Sequence, residues 1–177
     1  MIREITVVID TREQYPLFFP EFIHVTHPDN PTRTWPIKVS AKRGTLHLGD
    51  YCLDGYETLA VIERKASQLE ILKNMTDAKD KARQARAFKR LSEGCKYPYL
   101  LLEASPAHLL APVPGKHPEV AIQMLACAML KYRLQLVLMP WRGRSAEVRR
   151  KIGTFCLHLL VAPVIMRETQ DVKVNLL

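Results

Sequence analysis

Two short apolar runs, Thr45–Leu53 and Leu59–Lys65, flank the dipeptide Asp54-Gly55. Such runs joined by Asp-Gly read as two strands of a β-hairpin. Successive side chains on a strand point to opposite faces. Glu63 and Lys65 therefore share a face, and Arg64 takes the other. Asp50, on the neighbouring strand, can meet the first two, and Gly49 before it suits a bulge or a close backbone approach. The pattern is an Asp, a gap of 12 residues, and then Glu-x-Lys. These residue types suit hydrolysis of a phosphodiester. That chemistry needs a hard cation with oxygen ligands, which Asp50 and Glu63 supply. It also needs a positive group beside the attacking water or the scissile phosphate, which Lys65 supplies. Charged chains produce this pattern by chance, so alone it is a weak signal.

The rest of the chain reads as alternating strands and helices. Ile5–Ile9 is a β-branched, fully apolar run and reads as a buried strand. It ends in Asp10, Thr11, Arg12 and Glu13, and charges at the end of a buried strand are where a site would sit. Tyr97–Glu103 is a second buried strand, with Glu103 read as a strand-end carboxylate rather than part of a cleft. Ser67-x-x-Glu70 forms a capping box. Leu69, Leu72, Met75, Ala78, Ala82, Ala85, Phe88 and Leu91 then recur at helical spacing, with a break allowed near Thr76-Asp77. The opposite face of this helix carries Lys73, Lys79, Lys81, Arg83, Arg86, Lys89 and Arg90 against Asp77 and Asp80, an imbalance that favours phosphate contact. Glu119–Tyr132 reads as an apolar helix, open to core packing or to a surface shared with a second copy. Leu134–Met139 reads as a strand, and Ser145 caps a final helix to about Leu160. Arg142, Arg144, Arg149, Arg150 and Lys151 make a second basic patch.

Residues 14–44 are rich in proline and aromatics, and the prolines argue against a long helix. The segment is an insertion or an elaborated hairpin. Trp35 reads as packed on the domain, with stacking on nucleic acid as its alternative, and Lys38, Lys42 and Arg43 are candidate phosphate contacts. His24 and His27 have no Cys or carboxylate partner at zinc spacing, so no zinc site is expected.

At 177 residues one domain is expected. The net charge of +8 and pI of about 9.5 favour a polyanionic partner, most simply nucleic acid. The four scattered cysteines read as reduced, mostly buried thiols in a reducing, cytoplasmic compartment. No signal peptide is expected. The longest apolar run, Phe155–Met166, is interrupted by His158 and Pro163 and reads as too short to span a membrane.

Val7–Glu13 (Val-Val-Ile-Asp-Thr-Arg-Glu), Gly49-Asp50-Tyr51 and Ile62–Lys65 (Ile-Glu-Arg-Lys), in that order, resemble the nuclease domain of the XPF-type structure-specific endonucleases. That family is of the PD-(D/E)XK-like superfamily, and the chain looks especially like its stand-alone bacterial and phage versions. The likeness is specific from about Ile5 to Glu103 and looser to about Val161. It implies an α/β fold with a mixed central β-sheet flanked by helices, restriction-endonuclease-like, over residues 1–161, with 162–177 a tail. It implies Mg²⁺ or Mn²⁺ held by Asp10, Asp50 and Glu63, with Glu13 in the acidic cluster and Arg12 and Lys65 in the active site. DNA contacts are expected from Arg64, Lys79, Arg83, Arg86, Arg90, Arg142 and Arg144. The family also places an Arg and a Gln on the basic helix, for which Arg83 and Gln84 are candidates. Branched or flapped DNA is the implied substrate, cut to 5′-phosphate and 3′-hydroxyl ends, and a homodimer the implied assembly.

One departure stands out. The family follows Glu-Arg-Lys after three residues with an Asp, where this chain has Leu69 and then Glu70. A one-position shift turns a helical side chain by about 100°, so Glu70 reads as a cap. Two alternatives stay open: an inactive DNA-binding module of the same fold, and a restriction-type nuclease acting on linear duplex or RNA.

Overall fold

The computed structural model describes residues 1–140 and 145–174. Seven strands form one mixed sheet in the order β2-β3-β1-β4-β5-β6-β7. In chain order they are β1 (Glu4–Asp10), β2 (Phe22–His27), β3 (Asn30–Gly44), β4 (Tyr51–Leu53), β5 (Ala60–Lys65), β6 (Tyr97–Leu102) and β7 (Gln135–Leu138). The helices are α1 (Gln68–Thr76), α2 (Ala78–Gly94), α3 (Pro106–Leu109), α4 (Pro118–Tyr132) and α5 (Ala146–Val174). The expected α/β architecture is therefore present.

Strand alternation divides the core into two. Val7, Ile9, Tyr51, Ile62 and Leu101 pack on one face against Ile152, Cys156 and Leu160 of α5. Val8, Cys52, Val61 and Leu100 pack on the other against Ile71 of α1, Phe88 of α2 and Leu125 of α4. Burial on both faces is why these strands read as unbroken apolar runs.

Residues 14–44 resolve into the β2–β3 hairpin. β3 is antiparallel to β2 over its first half and runs parallel to β1 from Lys38 to Gly44. Pro31 and Pro36 lie in the part of β3 that precedes its pairing with β1, so no ladder bond to β1 is lost to their missing N–H groups. Trp35 is buried, and its Nε1 donates to the Ile2 carbonyl at 3.1 Å. The expected strand Thr45–Leu53 is shorter than its apolar pattern suggested: only Tyr51–Leu53 is strand, and 45–50 is a loop.

The helical stretch after β5 does break at Asp77, which closes α1 and caps α2 through bonds from Lys79 N and Asp80 N. Ser67 accepts from Glu70 N at 3.2 Å, but the return bond goes from Ala66 N to Glu70 Oε2 at 3.0 Å.

The final helix, expected to end near Leu160, continues through Pro163 to Val174. Val161, Val164 and Ile165 are buried against the sheet on either side of Pro163, which offsets the lost helix bond. Ala146–Thr169 is long and apolar enough to cross a membrane by length and composition, unlike the shorter run expected from sequence. Its apolar face packs in the core.

Candidate active site

Strand register brings three carboxylates into one row. Asp10 N donates to Asp50 O at 2.9 Å, and Asp50 N donates to Ile62 O at 2.8 Å. Asp10, Asp50, Glu63 and Lys65 share the strand parity of Val8, Cys52 and Val61, hence the face covered by α1 and α2. Gly49 permits the approach of β4 to β5. Its φ is +59°, and a Cβ there would lie 2.5 Å from Val61 Cγ1 and 2.8 Å from the Ile62 carbonyl oxygen. Asp50, Glu63 and Lys65 line a cleft of about 310 Å³ whose other walls include Arg12, His47, Glu70, Arg83 and Arg90.

Asp10 stands apart from its neighbours in the row. It is fully buried, and its carboxylate accepts four bonds: from Arg12 N and Nε at 2.7 Å each, and from Arg12 Nη2 and Leu46 N at 2.9 Å each. A carboxylate offers about four lone-pair sites, so none is left for a cation. The Arg12 hydrogen bonds outweigh burial and hold its pKa down at about 2. In this arrangement Asp10, expected as a metal ligand, anchors Arg12 and the 45–49 loop. Among the described residues no three His, Cys, Asp or Glu side chains are grouped so as to hold a metal ion.

Among the described residues, Asp50 and Glu63 each keep an oxygen without a hydrogen-bond partner. Asp50 Oδ2 accepts from Arg64 N at 2.7 Å, and Glu63 Oε1 accepts from Lys65 Nζ at 2.6 Å. Burial, then the charge of Glu63, raises the Asp50 pKa well above the ordinary carboxylate range. A buried acid beside a second carboxylate is the setting a cation relieves, so these two residues fit a hard divalent ion. Burial pulls the Lys65 ammonium down, but Glu63 more than compensates and its pKa is raised. Glu70 Oε1 lies 3.5 Å from Lys65 Nζ, so Glu70 is a cleft residue as well as a cap.

The opposite face of β5 holds a second charged cluster. Arg64 Nε lies 2.5 Å from Glu103 Oε1, Arg64 Nη1 lies 3.4 Å from Glu13 Oε2, and Nη1 also donates to the Tyr15 carbonyl at 2.7 Å. The Arg64 side chain, expected as a DNA contact, is 6% exposed, and its hydrogen bonds run inside the fold. Glu103, read as a strand-end acid, is buried here and lines a cleft of about 510 Å³ with Glu13, Arg64 and Arg149, and Arg12, Asp50, Lys65 and Glu70 line this cleft as well as the first. The signal for it was its position, since β5 and β6 pair Lys65 with Leu102 and place Glu103 one step beyond. Glu13 belongs to this cluster and shares its cleft with Asp50, whose pKa its charge helps to raise.

The basic residues divide too. Lys79, Arg83, Arg86 and Arg90 are exposed and recur at i, i+4, i+7 and i+11, a single stripe on α2. Arg83 and Arg90 lie on its cleft edge. Arg149 donates to the Pro16 carbonyl and sits 4.1 Å over the Phe18 ring, so it holds the 16–18 loop rather than facing outward. Lys38 pairs with Glu4 at 3.3 Å, Lys42 with Asp54 at 2.6 Å, and Arg43 donates to the Glu13 carbonyl at 3.1 Å. Arg142 and Arg144 lie outside the described residues.

No protein-family model matches the chain, and no curated protein matches it in sequence. Solved structures do share its fold. XPF from Aeropyrum pernix is 18% identical with a TM-score of 0.52, the match covering 84% of this chain and 59% of that one. XPF from Aeropyrum pernix in complex with DNA is 19% identical with a TM-score of 0.52, covering 84% of this chain and 63% of that one. The chain thus spans less than two thirds of the length of these structures. The likeness establishes an XPF-like fold.

Proposed function

We propose that this chain is a metal-dependent endonuclease that hydrolyses phosphodiester bonds in DNA, with branched or flapped DNA as its substrate class. The observation that carries this reading is the cleft in which Asp50 and Glu63 meet across β4 and β5 beside the buried cation Lys65, with Arg83 and Arg90 along one wall. The DNA complex of a protein with the same fold supports the choice of polymer.

Asp50 and Glu63 would hold Mg²⁺ or Mn²⁺. When bound, such an ion acidifies water and stabilises negative charge on phosphoryl oxygens. Lys65, whose Nζ lies 2.6 Å from Glu63 Oε1, would orient the attacking water and offset charge on the phosphate. Arg12, held by Asp10, lies along the same cleft and contributes a second positive group. Asp10 would join the ion only if Arg12 released it. The α2 stripe positions the backbone without reading sequence. The products would carry 5′-phosphate and 3′-hydroxyl ends, and a homodimer formed through α4 would present two such clefts to the arms of a branch.

The test is a panel of end-labelled linear, flapped and four-way DNA substrates with Mg²⁺ and with EDTA, alongside sedimentation at micromolar concentration. Metal-dependent cleavage favouring the flapped or four-way substrates is expected. Binding without cleavage in any metal would assign the chain to DNA binding alone. Equal cleavage of linear and branched DNA by a monomer would overturn both the substrate class and the dimer.

A further inference from the structure

Beyond the carboxylate cleft, α1, α2 and α4 enclose a separate cavity of about 330 Å³. This lies at the lower end of the roughly 300–1,000 Å³ range of small-ligand pockets. Its walls are Met75, Phe88, Met124 and Tyr132, with the Phe88 and Tyr132 rings 6.1 Å apart and tilted by 52°. Lys81 and Lys131 stand at its rim, and Gln123 adds an amide.

The two cavities share a partition. Asn74 of α1 and Gln84 of α2 line both. They are only 4% and 6% exposed. Among the described residues, Gln84 Nε2 is the buried side-chain polar atom left with no hydrogen-bond partner. An unpaired buried donor is costly, and this one stands at a wall of an apolar, aromatic-lined space.

Resting on the nuclease reading above, we propose that this cavity receives an unpaired nucleobase from the DNA next to the cleavage point. A base taken out of its stack needs flat apolar walls and polar groups for its edge. Met75, Met124 and the two rings provide the walls, and Gln84 Nε2 donates to a carbonyl or ring nitrogen of the base. Lys81 and Lys131 neutralise the flanking phosphates. Because Asn74 and Gln84 separate the cavity from Asp50 and Glu63, a strand whose phosphate lies in the cleft can place an adjacent base beyond the partition. Fully paired DNA cannot do so without breaking a pair. The cavity would then be a source of preference for DNA that already has an unpaired base at a branch.

The experiment uses the full chain in EDTA with flapped DNA carrying 2-aminopurine, or an abasic analogue, at each unpaired position near the branch. A fluorescence change at one position, and about a tenfold loss of affinity when that position is abasic, are expected for one lost buried hydrogen bond with stacking. Ala128 of α4 also lines the cavity, and Ala128→Phe, which puts a ring into it, should remove the abasic penalty while leaving affinity for paired duplex within about twofold. Gln84→Leu should shrink the same penalty. No fluorescence change at any position, or an abasic penalty unchanged in Ala128→Phe, overturns the proposal. If Ala128→Phe instead abolishes dimers and keeps the penalty, the cavity is a contact between copies and the proposal again fails. Metal-dependent cleavage that persists alongside these failures leaves the nuclease reading standing, whereas absence of DNA binding sinks both.

Discussion

The backbone N–H of Arg64 donates to Asp50 Oδ2 at 2.7 Å, while the Arg64 side chain passes to the other face of the sheet and pairs with Glu103 at 2.5 Å. One residue thus ties the cleft carboxylate to a buried ion cluster behind it. Removing one partner of a buried pair leaves an uncompensated charge and costs about 3–5 kcal/mol. Arg64→Ala should lower stability by that order in urea unfolding. A decrease of less than about 1 kcal/mol would mean the cluster does not hold β5.

Asp50→Asn and Glu63→Gln should each reduce turnover by about a hundredfold or more, as should Lys65→Ala. Binding of DNA in EDTA should change much less, because the α2 stripe carries it. Normal turnover by Asp50→Asn would place the chemistry elsewhere. Cleavage undiminished in excess EDTA would remove the metal from the mechanism.

Arg83→Ala and Arg90→Ala should weaken DNA binding. Each should also reduce the slope of log affinity against log salt, by about 0.9 for every phosphate no longer neutralised. Lys38→Ala and Lys42→Ala should leave the slope unchanged, since both lie on β3 and neither lines the cleft that Arg83 and Arg90 border. Equal effects from the two pairs would show that the phosphate path does not follow α2.

Gly153 tests packing by sign. In an exposed helix interior, Gly→Ala stabilises by about 1 kcal/mol. Here a Cβ would lie 2.1 Å from the Phe18 carbonyl oxygen. Gly153→Ala should therefore cost about 1–3 kcal/mol of stability through overpacking and lower the melting temperature. A rise would show that the 16–18 loop does not rest on α5.

Local spacing determined much of this protein. The i, i+2 alternation put Glu63 and Lys65 on one face and Arg64 on the other, and strand pairing put Asp50 beside the first two. The apolar runs at Ile5–Ile9 and Tyr97–Leu102, the Ser67 cap and the break at Asp77 were equally legible, because each depends on neighbours a few residues away. Where Arg64 would end was not legible. Its partner Glu103 is 39 residues distant, and only the pairing of β5 with β6 brings it near. Asp10 lies in the row of carboxylates, but its lone pairs are taken by Arg12 and by Leu46 N, a donor from a loop that had read as strand. The passage of α5 through Pro163 likewise depended on core packing that outweighs a local helix-breaking preference. Periodicity is a property of the segment and is written in it. Which groups meet across the sheet follows from strand order and loop path, which are properties of the whole chain.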